Sequence, residues 1–434
     1  MKIVINKLSM KQITYNIFAC VLILYAAIMF PHSVAYADNI TGQRGKSVTS
    51  WPTGVTVYDS ARAYNGFTLF TSLKSDGTFY LIDMNGKTVH TWKLPPAHYG
   101  WLLPNGNLIA GVTRDSGLGT VLSNTPAVAN VGAVYEVNWE GQLVNKWKND
   151  AMHHDYDKLP NGNLLALLWS KHKNPKDVIG GIPETEYEGG VILSETIAEI
   201  KPSGEIVWEW GAEDHLKNTE YPVCPLDYRK RWLHANSIQY IPSQNPVFPG
   251  KELILVSLRQ PSAVIIIDKL TGKALWRYGG YIAGEWGRLG HQHSFYMIGF
   301  KIDGGDVPGY GNLLVFDNGM HIAGYSDWGL PRSMVTEINP TTKKVVWAFT
   351  HQEEFEGWMP PEFKFNSPYI AGAQRLPNGN TLICEGGTSR IFEVTAEGDI
   401  VWEFINPERK ALFRAYRYGP DFNGFKGKSL PGPF

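Results

Sequence analysis

One strand-forming segment recurs six times along the chain, and this repetition constrains the fold more than any other feature. Each copy alternates apolar and polar residues and ends on an aromatic side chain: GKTVHTW, GQLVNKW, GEIVWEW, GKALWRY, KKVVWAF and GDIVWEF. The last residues are Trp92, Trp147, Trp210, Tyr278, Phe349 and Phe404, spaced 55 to 71 residues apart. A period of this length with several short strands per unit is typical of a radial repeat array. We therefore predict an all-β fold, a six-bladed β-propeller.

Each repeat contains further strands besides its closing segment. The motif LPNGN at residues 103–107, 159–163 and 376–380 places an Asn-Gly turn between two apolar runs. Asn-Gly readily adopts the positive φ angles that a tight hairpin needs. In SETIAEIKPSGEIVWEW, apolar and polar residues alternate on both sides of a turn, as in strands with two distinct faces. We predict four strands per blade, a first blade that begins near Val55, and one closed domain over residues 54–407.

The segments next to the repeats have separate interpretations. Residues 38–53 form a lead-in to the first blade. Residues 408–434 are rich in arginine and aromatic side chains and lack the blade pattern. We expect this C-terminal tail to pack on the propeller as a cap, with a binding tail as the alternative. The long loops at 171–190 and 214–232 either shape a substrate pocket or form solvated surface.

The first 37 residues resemble a cleavable secretory signal peptide. Three lysines precede an apolar run from Ile17 to Phe30, which is followed by the small-residue site Ala35-Tyr36-Ala37. The run is shorter than the ~20 residues that span a bilayer, which argues against the alternative of a membrane anchor. We therefore expect cleavage after Ala37, a periplasmic or secreted protein, and no stable membrane insertion afterwards.

Charge and composition exclude other classes of protein. Removal of the three leader lysines from the 40 basic residues leaves 37, against 41 acidic ones, so the mature chain offers no basic face for nucleic acid. A hydrophobic content of 43% with 13% aromatic residues excludes a disordered chain. Cys224 lies in a proline-flanked loop and Cys384 in an apolar strand, and export permits a disulfide between them without requiring it.

In a propeller the first strand of each blade lines the central channel, so residues at one repeat position form a ring. Counting back from the turn of each repeat selects Tyr58, His98, His154, Asn236, His293 and Ala371. With only 12 histidines in 434 residues, three at six arbitrary positions are hard to explain by chance. His234 and His291 precede their ring positions by two residues and should face the same side, whereas His153 and Asp155 should face away.

A histidine ring has more than one interpretation. Each histidine alone could be a core or turn residue satisfied by the backbone, and several together could hold a transition metal. Arg259, in the next strand of the blade that carries His234, argues against a metal. A guanidinium is unfavourable beside a dication but grips an oxyanion through two contacts. The residues therefore predict an oxyanion pocket with a nucleophilic or acid–base histidine, and no metal or cofactor.

Four motifs resemble the bacterial arylsulfate sulfotransferases, a family of exported six-bladed propellers that move a sulfuryl group between phenols. They are HHDYDKLPNGNLL (153–165), LHANSIQY (233–240), LVSLRQPSAVIIID (255–268) and HQHSFYMI followed by GNLLVFDNG (291–319). The resemblance implies ping-pong transfer from an aryl sulfate donor to a phenolic acceptor, without a nucleotide sulfate donor. It also implies that His293 becomes a sulfohistidine and that the sulfate is held by His154, His234, Asn236 and Arg259.

The remaining ring residues complete the predicted site. We assign Tyr58, His98 and His291 to substrate binding, with Tyr58 or a protonated histidine as general acid for the departing phenolate. Two other functions stay open: a non-catalytic propeller that binds an anion or a partner, and a metal-dependent hydrolase or lyase with the histidine ring as ligands. The sequence does not specify the donor, the acceptor, or whether the protein forms a homo-oligomer.

Overall fold

Short strands separated by turns form six antiparallel sheets, the blades of a β-propeller, as the repeats predicted. The structure is a computed structural model that describes residues 52–113, 131–280, 289–302, 305, 307–321, 333–350 and 365–431. The chain divides into two compact units, Met1–Pro52 and Thr53–Phe434, and the blades belong to the second. The predicted signal peptide lies outside the described residues. Among the residues described, no helix has the length and apolar character needed to cross a membrane.

The strands are numbered in chain order. β1 to β4 are Gly54–Tyr58, Phe67–Ser72, Thr78–Ile82 and Thr88–Lys93; β5 to β8 are Ala97–Leu102, Leu108–Val112, Ala133–Val137 and Leu143–Lys148. β9 to β13 are Met152–Lys158, Leu164–Lys171, Gly180–Ile182, Leu193–Ile200 and Ile206–Gly211, followed by a short helix, α1, at Ala212–His215. β14 to β18 are Val223–Tyr228, Ala235–Ile241, Leu253–Leu258, Ala263–Asp268 and Ala274–Gly279. β19 to β22 are His293–Met297, Leu313–Asp317, Met334–Ile338 and Val345–Phe349; β23 to β27 are Gly372–Arg375, Thr381–Glu385, Arg390–Val394, Ile400–Ile405 and Leu412–Tyr418.

Each blade places one strand at the channel and the others outside it. From the channel outwards, the orders are β27-β2-β3-β4, β5-β6-β7-β8, β9-β10-β12-β13, β15-β16-β17-β18, β19-β20-β21-β22 and β23-β24-β25-β26-β1. β11 and β14 pair in parallel outside the blades. Side-chain hydrogen bonds link neighbouring channel strands. For example, the Asn236 side-chain amide donates to the Gln292 backbone carbonyl at 2.8 Å. Distant parts of the chain therefore meet at one channel.

Both ends of the propeller segment close the ring. β27 pairs antiparallel with β2, with Tyr418 opposite Phe67, and is the channel strand of the first blade. β1 is the outermost strand of the last blade, where it pairs with β26. Residues 412–418 are thus a blade strand rather than the predicted cap, and the first blade starts at β2 rather than near Val55. The physical reason is that the first repeat supplies only three strands, so its channel strand has to come from the other end of the chain.

The recurring aromatic residues hold adjacent blades together. The six closing aromatics, Trp92, Trp147, Trp210, Tyr278, Phe349 and Phe404, are all buried. Five tryptophans donate their indole N–H to a carbonyl in an outer turn of the next blade, at 2.8 to 3.1 Å: Trp92 to Asn138, Trp210 to Gly272, Trp276 to Pro340, Trp347 to Ala396 and Trp402 to Met84. Large aromatic side chains recur in the repeats because they fill the space between adjacent blades, and the tryptophans also donate a hydrogen bond to a carbonyl in a turn.

Candidate functional site

The channel strands leave regular geometry where the predicted histidines lie. His154, His234 and His291 have positive φ angles of 49°, 52° and 57°. The pairing of β9 and β15 with the next strand outwards is irregular at His154 and beside His234, and that of β19 is irregular between His293 and Phe295. Positive φ is uncommon outside glycine, and irregular pairing beside functional sites re-aims side chains. The simple alternation used to decide which residues face the channel therefore fails here.

Three imidazoles form a chain of contacts. His154 Nε2 lies 3.1 Å from His234 Nε2, and His154 Nδ1 lies 2.8 Å from His153 Nδ1. His153 also stacks on Trp169, with ring centroids 3.7 Å apart. The prediction that His153 faces away from His154 was wrong, because the irregular strand turns both rings towards each other. In each contact one nitrogen donates and the other accepts, so a proton can pass along the chain.

His293 is held by an amide that the sequence analysis did not single out. Its Nδ1 lies 2.7 Å from Asn318 Oδ1, and Asn318 Nδ2 donates to the Ser367 carbonyl at 2.5 Å. Because the amide nitrogen is used by that carbonyl, the amide oxygen accepts and His293 Nδ1 carries the ring proton. His293 Nε2 then keeps its lone pair, as a nucleophile requires.

Arg414 crosses the channel from the first blade. Its Nη1 lies 2.8 Å from Asp155 Oδ2 in the third blade, and its Nη2 donates to the Asn236 carbonyl in the fourth at 3.4 Å. Asp155, expected to face away from the ring, is therefore the carboxylate that balances this buried guanidinium. Arg414 Nε has no hydrogen-bond partner among the described residues. The arrangement leaves Arg414 with donor capacity at the centre of the propeller.

Two further arginines approach the imidazoles from loops. The backbone N–H of Arg259 donates to the His234 carbonyl at 3.3 Å, which fixes Arg259 beside the channel. The Arg231 guanidinium lies 5.8 Å from the centre of the Trp169 ring, and its Nε has no partner among the described residues. Together with Arg414, these side chains surround the histidines with positive charge.

Burial keeps the imidazoles neutral. It lowers the pKa of His293 to about 3, an effect to which the charges of Arg259 and Arg414 add. Burial likewise lowers the pKa of His98 to about 4. It also holds the pKa values of His154 and His234 well below their usual range, and neighbouring imidazoles and arginines reinforce this. Neutral imidazoles among fixed arginines form a site that favours an anionic ligand.

A sequence model of the arylsulfotransferase (ASST) family matches residues 55–415. The match includes every side chain of the site described in this subsection. The chain belongs to the arylsulfotransferase family. A search of curated proteins finds no match.

Three solved structures resemble this chain at low sequence identity. A protein of unknown function from Bacteroides caccae has 13% identity and a TM-score of 0.46, covering 81% of this chain and 98% of its own. A periplasmic gluconolactonase from Pseudomonas aeruginosa has 12% identity and a TM-score of 0.42, covering 80% and 98%. An inactive virginiamycin B lyase from Staphylococcus aureus, solved with quinupristin, has 12% identity and a TM-score of 0.39, covering 84% and 88%.

The structure brings most of the predicted arylsulfotransferase site together. His154 contacts His234, His293 helps to lower the pKa of both, and Asn236 is buried beside Gln292 with its Oδ1 unpartnered among the described residues. His98 stacks on Phe413 with centroids 5.8 Å apart. Ala371 is buried immediately before β23 and adds no polar group to the ring.

Two predicted site residues lie elsewhere than expected. Tyr58 is on β1, the outer edge of the last blade, and so cannot belong to the channel ring. The repeat count failed there because β1 does not begin the first blade. His291 turns to Asp227, with its Nε2 2.6 Å from Asp227 Oδ2, because its positive φ breaks the extended alternation.

Three site residues were missed by sequence reasoning. Arg414 had a usable signal, because the first repeat lacks a channel strand and LFRAYRY (412–418) alternates in character. Asn318 is the next-to-last residue of the motif GNLLVFDNG, but only the structure, in which it follows β20, shows that it contacts His293. Arg231 lies in a loop without repeat symmetry, so no pattern in the chain points to it.

Proposed function

We propose that this protein transfers a sulfuryl group from an aryl sulfate to a phenolic acceptor through a sulfohistidine at His293. The contact between His293 Nδ1 and Asn318 Oδ1 carries the proposal, because it leaves Nε2 as an unprotonated nucleophile in a chain of the arylsulfotransferase family. The low pKa of His293 supports the same role, since a neutral imidazole attacks and an imidazolium cannot.

The first half-reaction is an in-line displacement at sulfur. His293 Nε2 donates its electron pair to sulfur, the bond between sulfur and the aryl oxygen breaks, and that pair leaves on the phenolate. In the second half, an acceptor phenol loses its proton, its oxygen attacks the same sulfur, and the bond between Nε2 and sulfur breaks. The acceptor becomes the new aryl sulfate and His293 returns to its starting state. The sequence is ping-pong and uses no nucleotide donor.

Arginines supply the electrostatic stabilisation. Charge accumulates on the three non-transferring oxygens in the transition state, and preplaced donors in a buried site stabilise it without reorganisation. Arg259 and Arg414 are the cations whose charge acts on His293, and Arg231 acts on His154 and His234. Asn236 holds the substrate beside them.

The chain of imidazoles handles the proton. An anionic substrate offsets the positive surroundings that lower the pKa of His154 and His234, so the pair takes up a proton when the substrate binds. The added proton is held at His234 Nδ1, which has no hydrogen-bond partner among the described residues, and the pair, linked through its Nε2 atoms 3.1 Å apart, delivers one proton to the departing phenolate. This replaces Tyr58 as the general acid. In the reverse direction the same pair accepts the proton of the acceptor phenol.

The reaction takes place outside the cytoplasm. The predicted signal peptide with cleavage after Ala37 supports a periplasmic or secreted enzyme. Amino-terminal sequencing of the secreted or periplasmic protein tests the cleavage, and a chain that begins at Met1 would contradict cleavage after Ala37.

The activity is tested with a chromogenic aryl sulfate in the presence and absence of a phenol. Without an acceptor, the enzyme should release one phenol per active site quickly and then stall; an added phenol should restart turnover. His293→Ala should abolish the burst, while His215→Ala, at an exposed histidine on α1, should leave it intact. Steady hydrolysis without a burst would favour a metal-dependent hydrolase. Binding of the aryl sulfate without release would favour a non-catalytic propeller.

A further inference from the structure

Four metal-ligand side chains converge beside the sulfuryl site. Cys224, Asp227, His291 and His321 each offer one ligand atom, and the four atoms lie within 4.8 Å of one another. Cys224 and Asp227 are on β14, His291 precedes β19, and His321 follows β20. We call these residues the Cys224 cluster. Apart from His291, none of them belongs to the predicted histidine ring.

The contact between His291 and Asp227 needs a cation. His291 Nδ1 lies 3.2 Å from the Met320 carbonyl, which can only accept, so Nδ1 carries the ring proton. The other nitrogen, Nε2, faces Asp227 Oδ2 at 2.6 Å. If His291 is neutral, the lone pair of Nε2 faces a lone pair of the Asp227 carboxylate oxygen. The two repel each other unless a proton or a metal ion lies between them. The remaining two side chains of the cluster decide between the proton and the metal.

Cys224 and His321 add two more electron-pair donors at the same point. His321 Nδ1 lies 3.4 Å from Cys224 Sγ and 4.0 Å from Asp227 Oδ1. Around tetrahedral zinc, with Zn–S of ~2.3 Å and Zn–N or Zn–O of ~2.0–2.1 Å, neighbouring ligand atoms are about 3.3–3.6 Å apart. The Cys224 to His321 distance already fits. The distances from Asp227 to His291, 2.6 Å, and to His321, 4.0 Å, lie on either side of this range, so the side chains shift when the ion binds.

The surroundings of the Cys224 cluster match those of bound metals. Ligating histidines donate their second ring N–H to a carbonyl, and ligating carboxylates are themselves hydrogen-bonded. His291 has the Met320 carbonyl in that role, and Asp227 Oδ2 lies 3.5 Å from Arg259 Nη1. Cys224 and His291 are buried, whereas the side chain of His321 is 23% exposed. An ion can therefore enter past His321.

We propose that Cys224, Asp227, His291 and His321 bind one zinc ion in a closed, structural site next to the sulfuryl pocket. A thiolate and a carboxylate neutralise Zn²⁺, so Arg259 is not repelled and contacts the carboxylate instead. The thiol selects a borderline metal over magnesium or calcium, and its proton is released on binding. The ion ties β14 to the start of β19, two residues before His293. The two sites share Arg259, but zinc binding does not rest on the proposed sulfuryl transfer.

Zinc binding is tested on the full chain without a histidine tag. After loading with Zn²⁺ and dialysis, elemental analysis should find one zinc per chain. Competition with a chelator should show that Cys224→Ser and His321→Ala each lose more than the ~10–100-fold in affinity that an outer contact costs. Cys384→Ser and His215→Ala, which change a buried thiol and an exposed imidazole elsewhere, should bind as the wild type does. Cobalt loading should give a thiolate charge-transfer band that Cys224→Ser lacks.

Several outcomes would overturn the zinc site. They are no zinc retained by the wild type, wild-type affinity in Cys224→Ser, or a cobalt spectrum of the wild type without a thiolate band. Zinc that is lost in His293→Ala but kept in Cys224→Ser would place the metal in the histidine ring instead. If Cys224→Ser does not fold, the zinc affinity of His321→Ala and the cobalt spectrum of the wild type still test whether the cluster binds the metal. The aryl sulfate burst is measured separately, so failure of one proposal is distinguishable from failure of the other.

Discussion

Asn318 Oδ1 lies 2.7 Å from His293 Nδ1, and this contact determines which nitrogen of His293 can react. The amide cannot rotate without losing the bond from its Nδ2 to the Ser367 carbonyl. His293 is therefore held as the tautomer with a lone pair on Nε2. Asn318 acts on the substrate only through His293, so it is a positioning residue.

Loss of the Asn318 amide should slow the first half-reaction. We expect Asn318→Ala to reduce the rate of the phenol burst by at least ~10-fold, and by up to the ~10⁴ that a wrong tautomer costs in a serine protease triad, with little change in KM. Asn318→Asp keeps an oxygen acceptor and should recover part of the rate. Stopped-flow measurement of the burst checks both variants. An unchanged burst in Asn318→Ala would exclude the positioning role.

Arg259 should be needed as a guanidinium and not only as a charge. Arg259→Lys keeps the positive charge but loses the planar fork, so turnover should fall by ~10²–10³, the usual cost of one transition-state donor. Urea unfolding should remain close to that of the wild type. Arg277→Lys is the matched control, because Arg277 stacks on Tyr221 outside the site. Equal turnover in both lysine variants would remove Arg259 from the mechanism.

The sequence predicted the blade count because every repeat buries an aromatic residue at the end of its closing segment, as Trp92 does in the first repeat and Phe404 in the last. It was harder to predict which strand begins each blade. A closed ring has no natural first strand, and pairing of β1 with β26 and of β27 with β2 depends on contacts more than 300 residues apart. Tyr58 and Arg414 were misplaced for this reason.

Within the site, the sequence predicted which histidines gather but not how they are oriented. His154, His234 and His293 follow from the repeat positions. The direction in which the side chains of His153, Asp155 and His291 point depends on irregular strand pairing and positive φ angles. The alternation of side chains along a regular strand does not predict these features. Tertiary geometry overrides local periodicity at such positions.

Arg417 should stabilise the junction where the ring closes. Its fully buried side chain pairs with Glu393, donates to Thr68 Oγ1 at 3.0 Å and lies 4.2 Å from the centre of the Trp402 indole ring. Removing one partner of a buried pair costs ~3–5 kcal/mol, so Arg417→Met should lower the free energy of unfolding by about that amount. The double variant Arg417→Met, Glu393→Leu should lose less, because no charge is left unpaired. Equilibrium urea unfolding compares the two, and equal losses would contradict the account.

Glu195 should make stability depend on pH. Its Oε1 accepts a bond from the Ala235 N–H at 3.1 Å, but burial raises its pKa from 4.5 to about 8. As the pH rises from about 4.5 to about 8, the unfolded state loses this proton while the folded state retains it, so stability falls. Glu195→Gln keeps the acceptor and removes the titration. Its melting temperature should therefore rise relative to the wild type from pH 5 to pH 8 and then keep a constant difference.

The control for this prediction lies on the same strand. Lys269 Nζ is 2.8 Å from Glu199 Oε2 and, although burial opposes it, bonds from Lys269 and Asn163 lower the pKa of Glu199. Glu199→Gln should change the melting temperature by a constant amount over the same pH range, because this group stays ionised in both states. A constant difference for Glu195→Gln as well would show that Glu195 does not retain its proton.

The central claim is a covalent intermediate at His293, and intact-protein mass spectrometry tests it most directly. After incubation with an aryl sulfate and no acceptor, the wild type should gain ~80 Da, the mass of one SO₃ group, and peptide analysis should place it on His293. The gain should vanish when a phenol is added, and His293→Ala should never show it. A wild type that transfers sulfate without this gain, or a gain on another residue that persists in His293→Ala, would contradict the account.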